Sequence, residues 1–148
     1  MPLFTVNRTS TALSTTNDYL TIIAANNRPL RIYIIDMKGD GTASAANEVG
    51  VYRSTIGVGG SNTNAIISKM NSGSAASQFV VYTAWSSSQP TLGDLLWRFS
   101  VNANGGIDKF VAIPGAEIPV PVSGQISIRS IDGTSNMICN ILIEEVDG

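Results

Sequence analysis

The sequence predicts an all-β protein, a two-sheet antiparallel β-sandwich of jelly-roll type with about eight to nine strands and at most one short helix. Three observations lead there. Short runs rich in β-branched and aromatic residues recur along the 148 residues. Between them lie clusters of Ser, Thr, Asn and Gly, which favour turns because hydroxyl and amide side chains cap local backbone and Gly takes positive φ. One connection, residues 56–78, is long enough to cross or cover a sheet. No repeat or linker divides the chain, so residues 1–148 read as a single jelly-roll domain.

The first run, residues 4–6, leads into the polar stretch 9–18, so residues 1–18 read either as an extended N-terminal arm or as a loop. Further strand-length runs follow at 19–25, 30–37, 48–55, 79–85, 95–102, 109–113, 125–131 and 137–146. Alternation marks half-buried strands. Leu95, Trp97, Phe99 and Val101 share one face opposite Arg98 and Ser100, and Ile126 and Ile128 face inward between polar neighbours. Runs 30–37 and 79–85 are apolar on both faces, as expected of strands covered on one side by the second sheet and on the other by a loop or another subunit. The best helix candidate is residues 64–70, barely two turns long.

Composition weighs against catalysis. The chain is 43% hydrophobic and 14% charged, with no His, one Cys and a net charge of −2. Without His there is no Ser-His-Asp or Cys-His pair and no zinc site of the common His-containing kinds. A non-enzymatic protein without cofactor is therefore expected, with no catalytic or metal residues. Nine basic residues stand singly along the chain, so nucleic acid is not an expected partner. No stretch of 18 apolar residues exists and the opening lacks the features of a secretory signal, so no membrane partner is expected and synthesis in a cytoplasm is.

The remaining motifs are weak. The glycine-rich stretch 57–62 lacks the Lys-Ser/Thr of a phosphate loop and reads as a flexible turn. Asp36 to Gly41 lacks the acidic spacing of a calcium hand and reads as an Asp-Gly turn after a strand. Cys139 is in phase with Ile141 and Ile143, as a small buried hydrophobe would be. Trp97 reads as core. Trp85 ends a run and opens a polar loop, so it sits either in the core or at a rim, where with Gln89 it can meet a glycan or a partner.

Three segments carry a resemblance: VNRTS at residues 6–10, GTASAANEVGVYRST at 41–55 and PVPVSGQISI at 119–128. Together they resemble small jelly-roll structural proteins of tailed bacteriophages, above all the decoration, or cement, proteins of the head. The resemblance implies a virion protein made in the host cytoplasm that sits on the outer capsid surface. There it would bind the major capsid protein, associate with itself as a homotrimer and bridge neighbouring capsid subunits. Candidate contacts are Phe4, Val6 and Arg8, lying across a neighbour or covering their own sheet, and Ile66, Ile67 and Met70 of the long connection. The competing expectation is a carbohydrate- or receptor-binding jelly-roll module of a phage tail or neck.

Overall fold

A computed structural model describes residues 2–73 and 75–146. It is all-β, and no helix occurs among the described residues. Thirteen strands form: β1 (Leu3–Ala12), β2 (Leu20–Ile23), β3 (Leu30–Asp40), β4 (Ala46–Thr55), β5 (Val58–Ser61), β6 (Ala65–Lys69), β7 (Val80–Tyr82), β8 (Ala84–Ser88), β9 (Thr91–Asn102), β10 (Asn104–Val111), β11 (Ile118–Val120), β12 (Gln125–Asp132) and β13 (Asn136–Glu145). Every pairing between them is antiparallel. The first sheet runs β10-β3-β13-β1-β6, with β11 also on β3; the second runs β7-β2-β12-β4-β9; β5 and β8 make a separate ribbon.

The pairings nest. β4 meets β9, β3 meets β10 and β11, β2 meets β12, and β1 meets β13. The two arms of this long hairpin then pair again, β3 with β13 and β4 with β12. The chain between β4 and β9 inserts β5 to β8, which extends the first sheet by β6 and the second by β7.

The apolar sides of the two sheets face each other. Phe4 and Val6 of β1, Ile32, Ile35 and Met37 of β3, Val49 and Val51 of β4, Phe99 of β9, Ile126 and Ile128 of β12, and Cys139, Ile141 and Ile143 of β13 are all buried there. Truncating any of the large ones to Ala is the kind of change that costs about 2–5 kcal/mol. The run 30–37 is apolar on both faces for a reason absent from simple alternation. The ladder slips between Leu142 and Ile143, whose partners are Ile34 and Ile32, so Tyr33 is an extra residue in β3. That bulge resets the phase, burying Ile32 and Ile35 together and turning Ile34 to the outer face.

Several expectations are corrected. Residues 64–70 are not helical: β6 occupies Ala65–Lys69, with Ile67 against the core and Ile66 outward. A seven-residue helix cannot nucleate alone, whereas the edge of β1 supplies ready backbone partners. Residues 3–12 are no arm but a strand hydrogen-bonded on both sides, by β13 and β6. The strands outnumber the expected eight or nine because β5, β6 and β11 were hidden in polar or Pro-rich stretches and run 79–85 divides at Thr83. The Asp-Gly turn expected near residue 40 is strand, since β3 runs on through Asp40 beside Asn104.

Candidate functional site

The outer faces of the two sheets differ, and the difference defines the candidate site. On the second sheet, Thr21, Ser127 and Arg129 point away from the core, yet Thr21 and Ser127 are fully buried. The β5–β8 ribbon covers them. Gly60 makes this close approach feasible: a Cβ there would lie 2.6 Å from the Tyr82 ring. Tyr82 in turn meets Trp85 edge to face, with centroids 5.0 Å apart.

Beneath the ribbon lies a closed polar network around Asp18. Its Oδ2 accepts from Thr21 Oγ1 at 2.6 Å and from the Ser127 hydroxyl, and its Oδ1 accepts from Arg129 Nε at 2.9 Å. Trp85 Nε1–H donates to Thr21 Oγ1 (3.0 Å), and the amide N–H of Asp18 donates to Gln89 Oε1 (2.9 Å). Arg129 Nη2 also donates to the Pro90 carbonyl (3.0 Å). Every buried side-chain polar atom among the described residues has a partner. Such a network anchors the ribbon and offers no unsatisfied group to a ligand.

Among the described residues, the outer face of the first sheet has no such cover. Registered across it is the row Val111, Ile34, Leu142, Thr5 and Ser68. The adjacent row is polar until its last member: Lys109, Asp36, Asn140, Asn7 and Ile66. Beyond it Ile107, Lys38 and Ile138 align, and on the other side Leu3 lies beside Glu144 and Met70. Val111, Ile107, Ile66 and Met70 are 55–62% exposed, while Ile34, Leu142, Ile138 and Leu3 are half-buried by their neighbours alone. Glu144 on this face is held by the Tyr33 hydroxyl (2.6 Å) and, more distantly, Arg31 (3.8 Å).

The residues singled out from the sequence divide accordingly. Phe4 and Val6 face the core, at 1% and 0% exposure. Arg8 is also inward, its guanidinium 4.5 Å from the centre of the Tyr19 ring and its Nε–H donating to Asn64 Oδ1 (3.2 Å). Burial lowers the Arg8 pKa, partly offset by Tyr19 and Cys139, and pushes the Tyr19 hydroxyl and the Cys139 thiol up. Ile67 packs on the core; Ile66 and Met70 stand on the open face. Trp85 is buried, its Nε1–H on Thr21, and Gln89 is half-buried, its Oε1 held by the Asp18 amide. Trp97, expected in the core, is 42% exposed at the seam of the two sheets, its edge against Phe110 at 5.1 Å.

Sequence reading missed Ile34, Ile107, Val111, Ile138 and Leu142. For Ile34 the signal was the double-sided apolarity of run 30–37, which named a covered strand without naming its cover. Among the described residues no group of three His, Cys, Asp or Glu is arranged to hold a metal, and no helix is long and apolar enough to cross a membrane. Compared with known proteins, the chain matches no family model, no curated protein and no solved structure.

Proposed function

We propose that the protein is a non-enzymatic virion structural protein that binds the outer surface of a phage capsid through the open face of its first sheet and bridges neighbouring capsid subunits. The observation that carries this reading is the asymmetry of the two outer faces. Among the described residues, the chain spends β5 and β8 on covering part of one sheet's outer face, around Thr21, yet sets no ribbon on the other, where Val111, Ile107, Ile66 and Met70 are exposed. These side chains stand at the two edges of the sheet, Val111 and Ile107 on β10 and Ile66 and Met70 at β6, joined in part by the apolar row through Ile34 and Leu142 and crossed by the polar row through Asp36 and Asn140. Exposed apolar side chains rimmed by polar ones mark an interaction site on a folded protein. Five strands about 4.8 Å apart and roughly eight residues long make a face of about 600 Å², approaching the ~800 Å² that each partner buries in a standard interface.

The finer fold reading is jelly-roll. Its support is the nested pairing, in which a long hairpin of β1 to β4 against β9 to β13 rolls up so that β3 meets β13 and β4 meets β12. The resemblance to phage decoration proteins adds the partners: the major capsid protein and further copies of this chain in a homotrimer. A clamp with affinity only for the assembled shell stabilises it by mass action, and repetition over a lattice multiplies weak contacts. With Trp85 buried and Gln89 half-buried, no observation favours the carbohydrate-binding alternative.

The test is light scattering for the mass of the purified chain, followed by sedimentation with expanded, undecorated shells of the phage whose genome carries its coding sequence. A trimer that pellets with shells and raises their melting temperature is expected. A chain that stays in the supernatant at micromolar concentration refutes the reading.

A further inference from the structure

We infer that the cleft flanked by Arg31 and Arg53 binds the free carboxylate at the end of an apolar polypeptide. The cleft, about 450 Å³, opens at one end of the sandwich between the start of β3, the end of β4 and β11, with Pro29, Pro119, Pro121 and Val146 as walls. Leu30 and Val120, which also line it, are buried residues of the core. Its volume lies in the range of pockets that hold small ligands.

Two guanidinium groups border this apolar space, and among the described residues no acid lines it. Arg53 is registered opposite Ile126 and reaches across to the first sheet, where Nη1 donates to the Pro119 carbonyl at 2.7 Å. That bond fixes the side chain and uses one of its five N–H donors. Arg31 is half exposed, and its nearest acid, Glu144, stands 3.8 Å away with the same oxygen already accepting from Tyr33. Two guanidinium groups beside apolar walls, that of Arg53 fixed by its bond to Pro119, suit a planar carboxylate on an apolar body.

The source of that carboxylate follows from the cleft's edges. Strand addition along β11 is closed, because Pro119 has no N–H and its carbonyl is taken by Arg53. Recognition therefore falls on an end group. The cleft is open to solvent on one side, so a polypeptide can place its last residues inside and continue outward, whereas a fatty acid gains most from an enclosed tunnel. This inference does not depend on the capsid reading.

The experiment is an amide NMR titration of the full chain with acetyl-Ala-Leu-Val as the free acid, with its C-terminal amide and with octanoate. The free acid is expected to shift the Leu30, Val120 and Arg53 signals saturably, and the amide to bind at least about tenfold more weakly, as loss of a charge-assisted hydrogen bond dictates. Arg31→Gln and Arg53→Gln should each weaken binding about tenfold while the rest of the spectrum is unchanged. Absence of shifts at millimolar peptide, equal binding of the amide, or tighter binding of octanoate overturns the inference. Because Asp147 follows Val146 in sequence, Asp147→Asn is titrated as well. Binding confined to that variant would identify the chain's own carboxylate as the occupant and overturn the inference too.

Discussion

Asp18 and Arg129 form the ion pair whose loss should cost most. Their side chains are 1% and 13% exposed and 2.7 Å apart, so Asp18→Ala leaves a largely buried guanidinium without its partner, a change that typically costs about 3–5 kcal/mol. Arg98 and Glu48, at 54% and 44% exposure and 3.6 Å, form a solvated pair worth about 0–1 kcal/mol. Urea denaturation of Asp18→Ala and Glu48→Ala should separate the two by a clear gap in midpoint; equal midpoints would contradict the network's role. Tyr19 and Cys139 set the alkaline limit. Burial raises both pKa values, so at high pH the unfolded chain gives up protons that the folded chain retains. Stability is then fully present below the unfolded-state values, about 8.5 for Cys and 10 for Tyr, and falls as pH rises past them. Melting temperature should decline above about pH 9, and Cys139→Ala should delay the onset of that decline.

At the level of elements, the two tryptophans show what alternation can and cannot say. Leu95, Trp97, Phe99 and Val101 alternate correctly, but register shifts opposite Val51, Tyr52 and Ser54 bend this edge strand, and only Phe99 and Val101 reach the interior. For Trp85, which ends a run and precedes a polar loop, the sequence leaves core and rim both open, and the ribbon carries it inward to Thr21. Acrylamide should therefore quench Trp97 in a Trp85→Phe chain far more than Trp85 in a Trp97→Phe chain. Gly60→Leu, which drives a side chain into the Tyr82 ring, should loosen the ribbon at a cost of about 1–3 kcal/mol and make Trp85 quenchable. Nine strands were legible in period and composition because each sits in an apolar run. β5 and β6 were not, since VGGS and AIISK become strands only where a neighbour offers a ladder. The candidate site was legible through Ile66 and Met70; the bulge at Tyr33 that turns Ile34 to the outer face shows in the sequence only as apolarity on both faces of run 30–37.

The whole molecule is a sandwich in which, among the described residues, the β5–β8 ribbon covers part of one outer face, while the other outer face has no such ribbon. That arrangement has a thermodynamic consequence: residues on the open face contribute little to folding, so charges placed there should leave the free protein's stability within about 0.5 kcal/mol of the parent. The same charges should destroy an interface built on that face, since each would be buried without a partner. Val58, on the outer ribbon and 59% exposed, provides the matched control. The most direct measurement is therefore shell co-sedimentation of Val111→Asp, Ile66→Asp and Val58→Asp beside the parent chain. We predict that the first two remain folded and lose at least about tenfold in shell affinity while Val58→Asp binds as the parent does. Shell binding that survives both open-face substitutions, or that is lost only with Val58→Asp, would contradict the account.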